Sequence, residues 1–221
     1  MFDGISGSYD RLNSLMSAGL HHRWRDLAVM LAMVEPGDSV LDVCTGTGDL
    51  AFALKRAVGE EGQVVGLDFS NQMLDQAREK CGLNQLWVDF VIGDALEMPF
   101  PDHSFDACTV GFGVRNVPDV GQAFSEMARV CRPGGRVVCL EIASPQIIGF
   151  KQFYNLWFDE VVPLLGRVTS RNDFAYSYLP ASVRRFGDPD MLREVMQDVG
   201  LINCRYEILA GGIITLHHAT A

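Results

Sequence analysis

The sequence predicts an α/β fold: a seven-stranded, mostly parallel sheet with its last strand antiparallel and helices on both faces. Short Val- and Leu-rich segments alternate with amphipathic ones along the 221 residues, the pattern of a sheet covered by crossover helices. The first five of these segments lack the clean apolar–polar alternation of a sheet wetted on one side, which predicts strands buried on both faces. The last two are separated by Ala210-Gly211-Gly212 alone. That gap is too short for a crossover helix, so the final strand must run antiparallel to its neighbour.

In chain order, residues 1–35 read as helical, with Trp24, Leu27, Ala28, Leu31 and Val34 at amphipathic spacing and Pro36-Gly37 as the stop. Strands are expected at 39–45, 63–69, 88–92, 105–112 and 136–143, then at 205–209 and 213–217. Asp119 precedes a helix that puts Phe124, Met127, Ala128 and Cys131 on one face, and Pro133-Gly134-Gly135 is expected to stop it before the next strand. Residues 144–187 break the alternation and hold much of the aromatic weight, including Phe153, Tyr154, Trp157, Tyr176 and Tyr178. With no internal repeat and no low-complexity linker, 1–35 and 144–187 read as additions to one domain spanning 1–221: an N-terminal helical lid and a substrate-side helical insertion.

Apolar residues make up 48% of the chain, which excludes intrinsic disorder. Twenty-eight acidic residues against 18 basic ones give a net charge of -10, and a field of that sign opposes a phosphate backbone, so no nucleic-acid partner is expected. No window approaches the roughly 18 uninterrupted apolar residues of a membrane span. The opening MFDGISGSYD lacks the basic-then-apolar order of a signal peptide, so the expected location is cytoplasmic. The six cysteines form no C-x-x-C pair and no metal-like spacing with the histidines, and they read as reduced core thiols with no metal site.

The most informative stretch runs from Val40 through Asp42, Gly46, Thr47 and Gly48 to Ala51, a buried strand entering a glycine turn and then a helix. A bulky side chain there would block a ligand from the backbone at the strand's carboxyl edge. Asp68, ending the second strand, is placed to accept two hydrogen bonds from a ribose diol. Asp42, just ahead of the loop, suits an ammonium group and opposes a pyrophosphate. In Gly93-Asp94-Ala95, at the end of the third strand, the acid can accept from an adenine amino group. Three acids at strand ends suit a cationic nucleoside such as S-adenosylmethionine rather than NAD, although Gly46-x-Gly48-x-x-Ala51 also fits a dinucleotide fingerprint. The plainer alternatives are that Asp42 caps the helix or loop and that Asp94 begins a turn.

Across nearly its whole length the chain resembles the ubiquinone/menaquinone biosynthesis C-methyltransferase family, within the class I S-adenosylmethionine-dependent methyltransferase fold. The resemblance is carried most narrowly by Phe112-Gly113-Val114-Arg115-Asn116-Val117 and by Tyr178-Leu179-Pro180-x-Ser182-Val183-Arg184-Arg185-Phe186. Met1-Phe2-Asp3, Asp68-Phe69-Ser70, Arg132-Pro133-Gly134-Gly135 and Gly211-Gly212-Ile213 extend it. Two positions depart from the family pattern. Cys44-Thr45 stands where small residues are common, and Gly111 stands where a serine often contacts the cofactor, so cofactor binding must lean on Thr47, Asp68, Asp94 and backbone groups. The absence of an extension ahead of Met1 tilts the expectation toward the menaquinone branch.

The resemblance implies methyl transfer from S-adenosylmethionine to a ring carbon of a reduced polyprenyl quinone, most directly demethylmenaquinol. Asp42, Gly46, Thr47, Gly48, Asp68, Asp94 and Ala95 are then the cofactor-binding candidates. Arg115 and Asn116 are the catalytic candidates: Arg115 to stabilise the developing quinolate and hold a relaying water, since an arginine is a poor free base, and Asn116 to orient the same oxygen or water. Tyr9, Tyr178 and Arg185 are the substrate-side candidates, with helix capping and core packing as the plainer readings. His217 matches a family position but reads as a satisfied strand-end histidine. Phe153, Trp157, Val161 and Leu165 share one face of 150–165, which suits either a core or homodimer face or a transient peripheral contact with the inner membrane surface. Such contact would be helped by local basic groups such as Arg23, Arg25, Arg184 and Arg185. Other classes that match parts of the pattern are a methyltransferase for another lipophilic phenol, a non-catalytic scaffold subunit and an NAD-dependent oxidoreductase.

Overall fold

Residues 17, 19–143 and 188–221 are described by a computed structural model of the chain. Ser39–Val43 (β1), Gln63–Asp68 (β2), Asp89–Ile92 (β3), Phe105–Gly111 (β4), Cys131–Ile142 (β5), Ile202–Leu209 (β6) and Ile214–Thr220 (β7) form one sheet. Its order is β3-β2-β1-β4-β5-β7-β6. The first five strands pair in parallel. As the short Ala210-Gly211-Gly212 connection requires, β7 runs antiparallel to β6, and it inserts antiparallel to β5 as well.

Alternation along each strand sorts the core into two layers. Leu41 and Val43 of β1 join Leu67, Val110 and Cys139 on one face, beneath Val120–Val130 (α4) and Pro189–Asp198 (α5). Val40 joins Val64, Val138, Leu140 and Leu216 on the other, beneath Leu20–Ala32 (α1) and Asp49–Val58 (α2). The remaining described helix, Asn71–Asn84 (α3), is capped by Ser70, whose hydroxyl accepts from the Met73 N–H at 3.3 Å. Asp119 caps α4, accepting from the Gln122 N–H at 2.9 Å, and Asp188 caps α5 in the same way from Met191. A polar side chain precedes each of these starts, of which only that at Asp119 was expected, because the first amides of a helix have no partner within it.

Three expectations are corrected. Pro133-Gly134-Gly135 does not stand between helix and strand: α4 ends at Val130, and β5 already includes the three residues at a shift in its register with β4. Gly135 is fixed there by a close approach, since a Cβ would sit 2.5 Å from the Asp106 carbonyl oxygen. β3 is not buried on both faces; as the sheet's edge it leaves Asp89 and Ile92 exposed. The expected face of α1 holds in part: Ala28 is buried and Trp24, Leu31 and Val34 pack partly buried against the core, but Leu27 is exposed, and His21 and Arg25 are buried alongside. Arg25 turns inward toward a carboxylate of α2. Of the lid expected at 1–35, residues 1–16 and 18 lie outside the described residues, as do the insertion expected at 144–187 and the aromatic face of 150–165.

Candidate active site

The sheet order reverses between β1 and β4, whose onward connections leave in opposite directions and open a crevice at the strands' carboxyl ends. A cavity of about 360 Å3 lies there, within the range of small-ligand clefts. Its floor is the turn that joins β1 to α2. Gly48 caps α2 with a φ of 85°, and a Cβ on it would sit 3.0 Å from the Phe90 ring, so both the turn and the packing under it demand glycine.

The buried Asp42 accepts from the hydroxyls of Thr45 at 2.6 Å and Thr109 at 2.8 Å. Burial pushes its carboxyl up to about 6, against those two hydrogen bonds and the nearby Arg25. Asp68 accepts from the N–H of Gly46 at 2.8 Å and of Ser70 at 2.9 Å, which fixes the carboxylate at the end of β2. Thr47 accepts from Lys80 Nζ at 3.0 Å, and the same ammonium lies 2.9 Å from Asp49. Burial raises the Asp49 carboxyl, but Arg25 and Lys80 outweigh it and hold it below its ordinary range. Asp94 is anchored through one oxygen by the Leu96 N–H at 2.9 Å.

Asp42, Gly46, Thr47, Asp68, Asp94, Ala95 and Asn116 all line the cavity, so seven of the residues proposed from sequence meet at one place. Gly48 shapes the turn beneath without lining it. Arg115 stands apart: its guanidinium donates to the Phe112 carbonyl oxygen at 2.6 Å and forms an ion pair with the fully buried Glu141, whose carboxylate also takes the Arg115 N–H at 3.2 Å. It does not line the cavity, although its neighbour Asn116 does. Gly111 lines the wall, and a Cβ there would meet Leu50 at 3.1 Å, so a serine at this position would crowd α2. His217 is buried between β5 and β6, away from the cavity, as a packing residue. Tyr9, Tyr178 and Arg185 lie outside the described residues.

Three residues escaped the sequence reading. Lys80 carries no signal beyond being a lysine on a helix. Glu141 left a trace, a carboxylate closing the apolar run 137–140, where a buried acid needs a partner. Arg25, grouped above with basic residues facing a membrane, is instead 8% exposed and lines the cavity, so it is not available to lipid headgroups.

The donor set fits S-adenosylmethionine better than a dinucleotide. The Gly46 amide, which would meet a pyrophosphate in a dinucleotide site, is committed to Asp68, and Asp49 adds a carboxylate in the first turn of α2. The same acids suit a nucleoside diol, an amine and a positively charged tail.

A model of the ubiE/COQ5 methyltransferase family matches residues 1–221. A demethylmenaquinone methyltransferase of Bacillus licheniformis is 42% identical over 217 residues, 98% of this chain and 93% of that protein. Its counterpart of the same name from Listeria welshimeri is 44% identical over 218 residues, 98% of this chain and 92% of that protein. Among solved structures, a SAM-dependent methyltransferase from Aquifex aeolicus aligns with a TM-score of 0.67 at 18% identity, over 95% of this chain and 96% of that one. A putative S-adenosyl-L-methionine-dependent methyltransferase from Methanococcus maripaludis gives 0.67 at 18% identity, over 99% and 92%. At these identities the structural likeness speaks for the fold alone.

Proposed function

Since the chain belongs to the ubiE/COQ5 methyltransferase family, we propose that it methylates a ring carbon of a reduced polyprenyl quinone with S-adenosylmethionine, converting demethylmenaquinol to menaquinol. The observation that carries the choice of acceptor is identity above 40%, over 98% of the chain, to proteins named demethylmenaquinone methyltransferase. The cavity supports the choice of donor. Asp68 would take the ribose diol, Asp94 with Ala95 the adenine edge, and Asp42 the ammonium, with Gly46 and Thr47 closing the floor. Bound there, S-adenosylmethionine supplies a methyl group already activated for transfer.

The protein then has to place the acceptor carbon in line and stabilise charge on the acceptor's oxygen. Asn116, on the cavity wall, is proposed to orient that oxygen. Arg115, clamped by Glu141 and the Phe112 carbonyl, is proposed to keep a fixed positive charge behind it. The ring proton replaced by the methyl group leaves to water. Tyr9, Tyr178 and Arg185 remain proposed contacts for the quinol. Among the described residues no helix is long and apolar enough to cross a membrane. The acceptor carries an apolar polyprenyl tail, and it is proposed to be collected by transient peripheral contact at the cytoplasmic surface of the inner membrane.

The test is incubation of the purified protein with S-adenosylmethionine and a reduced short-chain demethylnaphthoquinol, with mass detection of a carbon-bound methyl. Product is expected, and Arg115→Ala should lower turnover about 100-fold or more, the scale of a lost charge-stabilising group, with little change in donor affinity. Product from a benzoquinol alone would move the protein to the ubiquinone branch, and product from neither would overturn the proposal.

A further inference from the structure

Arg25 is the one basic residue among the described residues that line the cavity. Its side chain projects from α1, with Nη2 3.4 Å from Asp49 and the guanidinium carbon 5.7 Å from the centre of the Phe112 ring. Nη1 is buried and has no hydrogen-bond partner among the described residues. Asp49 leaves that charge only partly answered, because the same carboxylate is held more closely by Lys80, at 2.9 Å. A planar guanidinium carries five N–H donors, and a buried one with a single shared counter-ion is costly to keep unless a further acceptor arrives.

The cavity wall presents four carboxylates, Asp42, Asp49, Asp68 and Asp94, against this one cation. A zwitterionic amino-acid tail has two ends to place there. The ammonium has Asp42 within the wall, and its carboxylate has one candidate partner of opposite sign. We infer that Arg25 binds the carboxylate of the methyl donor's amino-acid tail, so that α1 contributes the group that distinguishes an amino-acid-bearing nucleoside from one without the carboxylate. This rests on the reading of the cavity as the donor site. An arginine suits the role through the fork geometry of its donors, which matches a carboxylate in two-point contact. Facing Asp49 with one nitrogen leaves the other for the ligand, and the guanidinium lies over the Phe112 ring.

The alternative is that Arg25 only straps α1 to α2 through Asp49. The two are separated by equilibrium binding of three ligands to the full chain: S-adenosylhomocysteine, decarboxylated S-adenosylmethionine, and 5′-methylthioadenosine, which keeps the nucleoside and sulfur but lacks the tail. Arg25→Gln should weaken S-adenosylhomocysteine by about 10- to 100-fold, the scale of a hydrogen-bonded charge contact, while methylthioadenosine binds as it does to the parent protein. The parent protein should bind S-adenosylmethionine more tightly than its decarboxylated form, and Arg25→Gln should erase that preference, with Arg25→Lys keeping part of it. Unchanged S-adenosylhomocysteine affinity in Arg25→Gln would overturn the inference. So would equal losses for S-adenosylhomocysteine and methylthioadenosine, the outcome of a strap. If the parent protein bound none of the adenosyl ligands, the reading of the cavity itself would fall, and Arg25 with it.

Discussion

Asp42 is a carboxylate built into the middle of a sheet, and the surroundings that hold it also make it titrate in an unusual range. Its two oxygens are taken by Thr45 and Thr109, yet burial still lifts its carboxyl to about 6. A cationic group in the cavity prefers the ionised form. Below pH 6, therefore, each ligand that brings an ammonium must first displace a proton from Asp42, and above it no proton is released. Affinity for S-adenosylhomocysteine should rise with pH, approaching tenfold per unit below 6 and flattening by about 7. In Asp42→Asn the affinity should be weaker and independent of pH over that range, as calorimetry between pH 5 and 7.5 would show; a flat profile in the parent protein would remove Asp42 from the ammonium. The place of Asp42 just before the glycine turn, where it lines the cavity, was legible in sequence, with capping of the helix or loop as the plainer alternative use of its carboxylate. The hydroxyl of Thr109 was not, because it comes from a strand 67 residues further along. Glu141 was hidden behind Arg115 in the same way, 26 residues further along.

At the scale of elements, β7 and α5 meet through His217. Its Nε2–H donates to the Pro189 carbonyl oxygen in the first turn of α5 at 2.9 Å, and its ring lies 5.1 Å from that of Tyr206 on β6. Burial pushes the imidazole down to about 4, so it is neutral in the fold. The unfolded chain takes up a proton near the ordinary value of 6.5, whereas the folded chain cannot until pH 4, so this group's contribution is intact above 6.5 and lost as pH falls toward 4. Replacement by Gln should destabilise the protein at neutral pH and narrow its gap to the parent by about 2–3 kcal/mol at pH 4.5. Urea midpoints at pH 7.5 and 4.5 measure this, and a gap that does not change with pH would refute it. The strand itself was visible in sequence, as was β5 beside it, because runs of buried apolar residues read directly; β6, mostly exposed, was legible only over 205–209. What tertiary contacts decide was not visible: the early start of β5 goes with the bulge against β4, and the burial of Arg25 on α1 goes with a carboxylate on α2.

Over the whole molecule, the acids that dominate a charge of -10 matter most where the walls of the cavity come from separate parts of the chain. Arg25 belongs to α1, Asp42 to β1, Asp68 to β2, Asp94 to the loop after β3, and Asn116 to the turn after β4. A ligand that touches all of them binds the folded arrangement and has no counterpart in the unfolded chain, where these residues are dispersed. Its ammonium also meets a wall with four carboxylates, while its own carboxylate has the one guanidinium. Binding must therefore appear as stability. At about 100 times its Kd, a ligand specific for the folded state contributes about 2.7 kcal/mol. For a chain of this size each kcal/mol moves the midpoint by about 2–4 °C. S-adenosylhomocysteine at that concentration should raise Tm by roughly 5–10 °C. NAD at the same concentration should leave it unmoved, because its pyrophosphate would face Asp42 and a Gly46 amide already given to Asp68. Thermal melts with the two ligands decide the matter: an equal shift with NAD would mean that the carboxylates do not select the ligand, and no shift with either would mean that the cavity is not where the nucleoside binds.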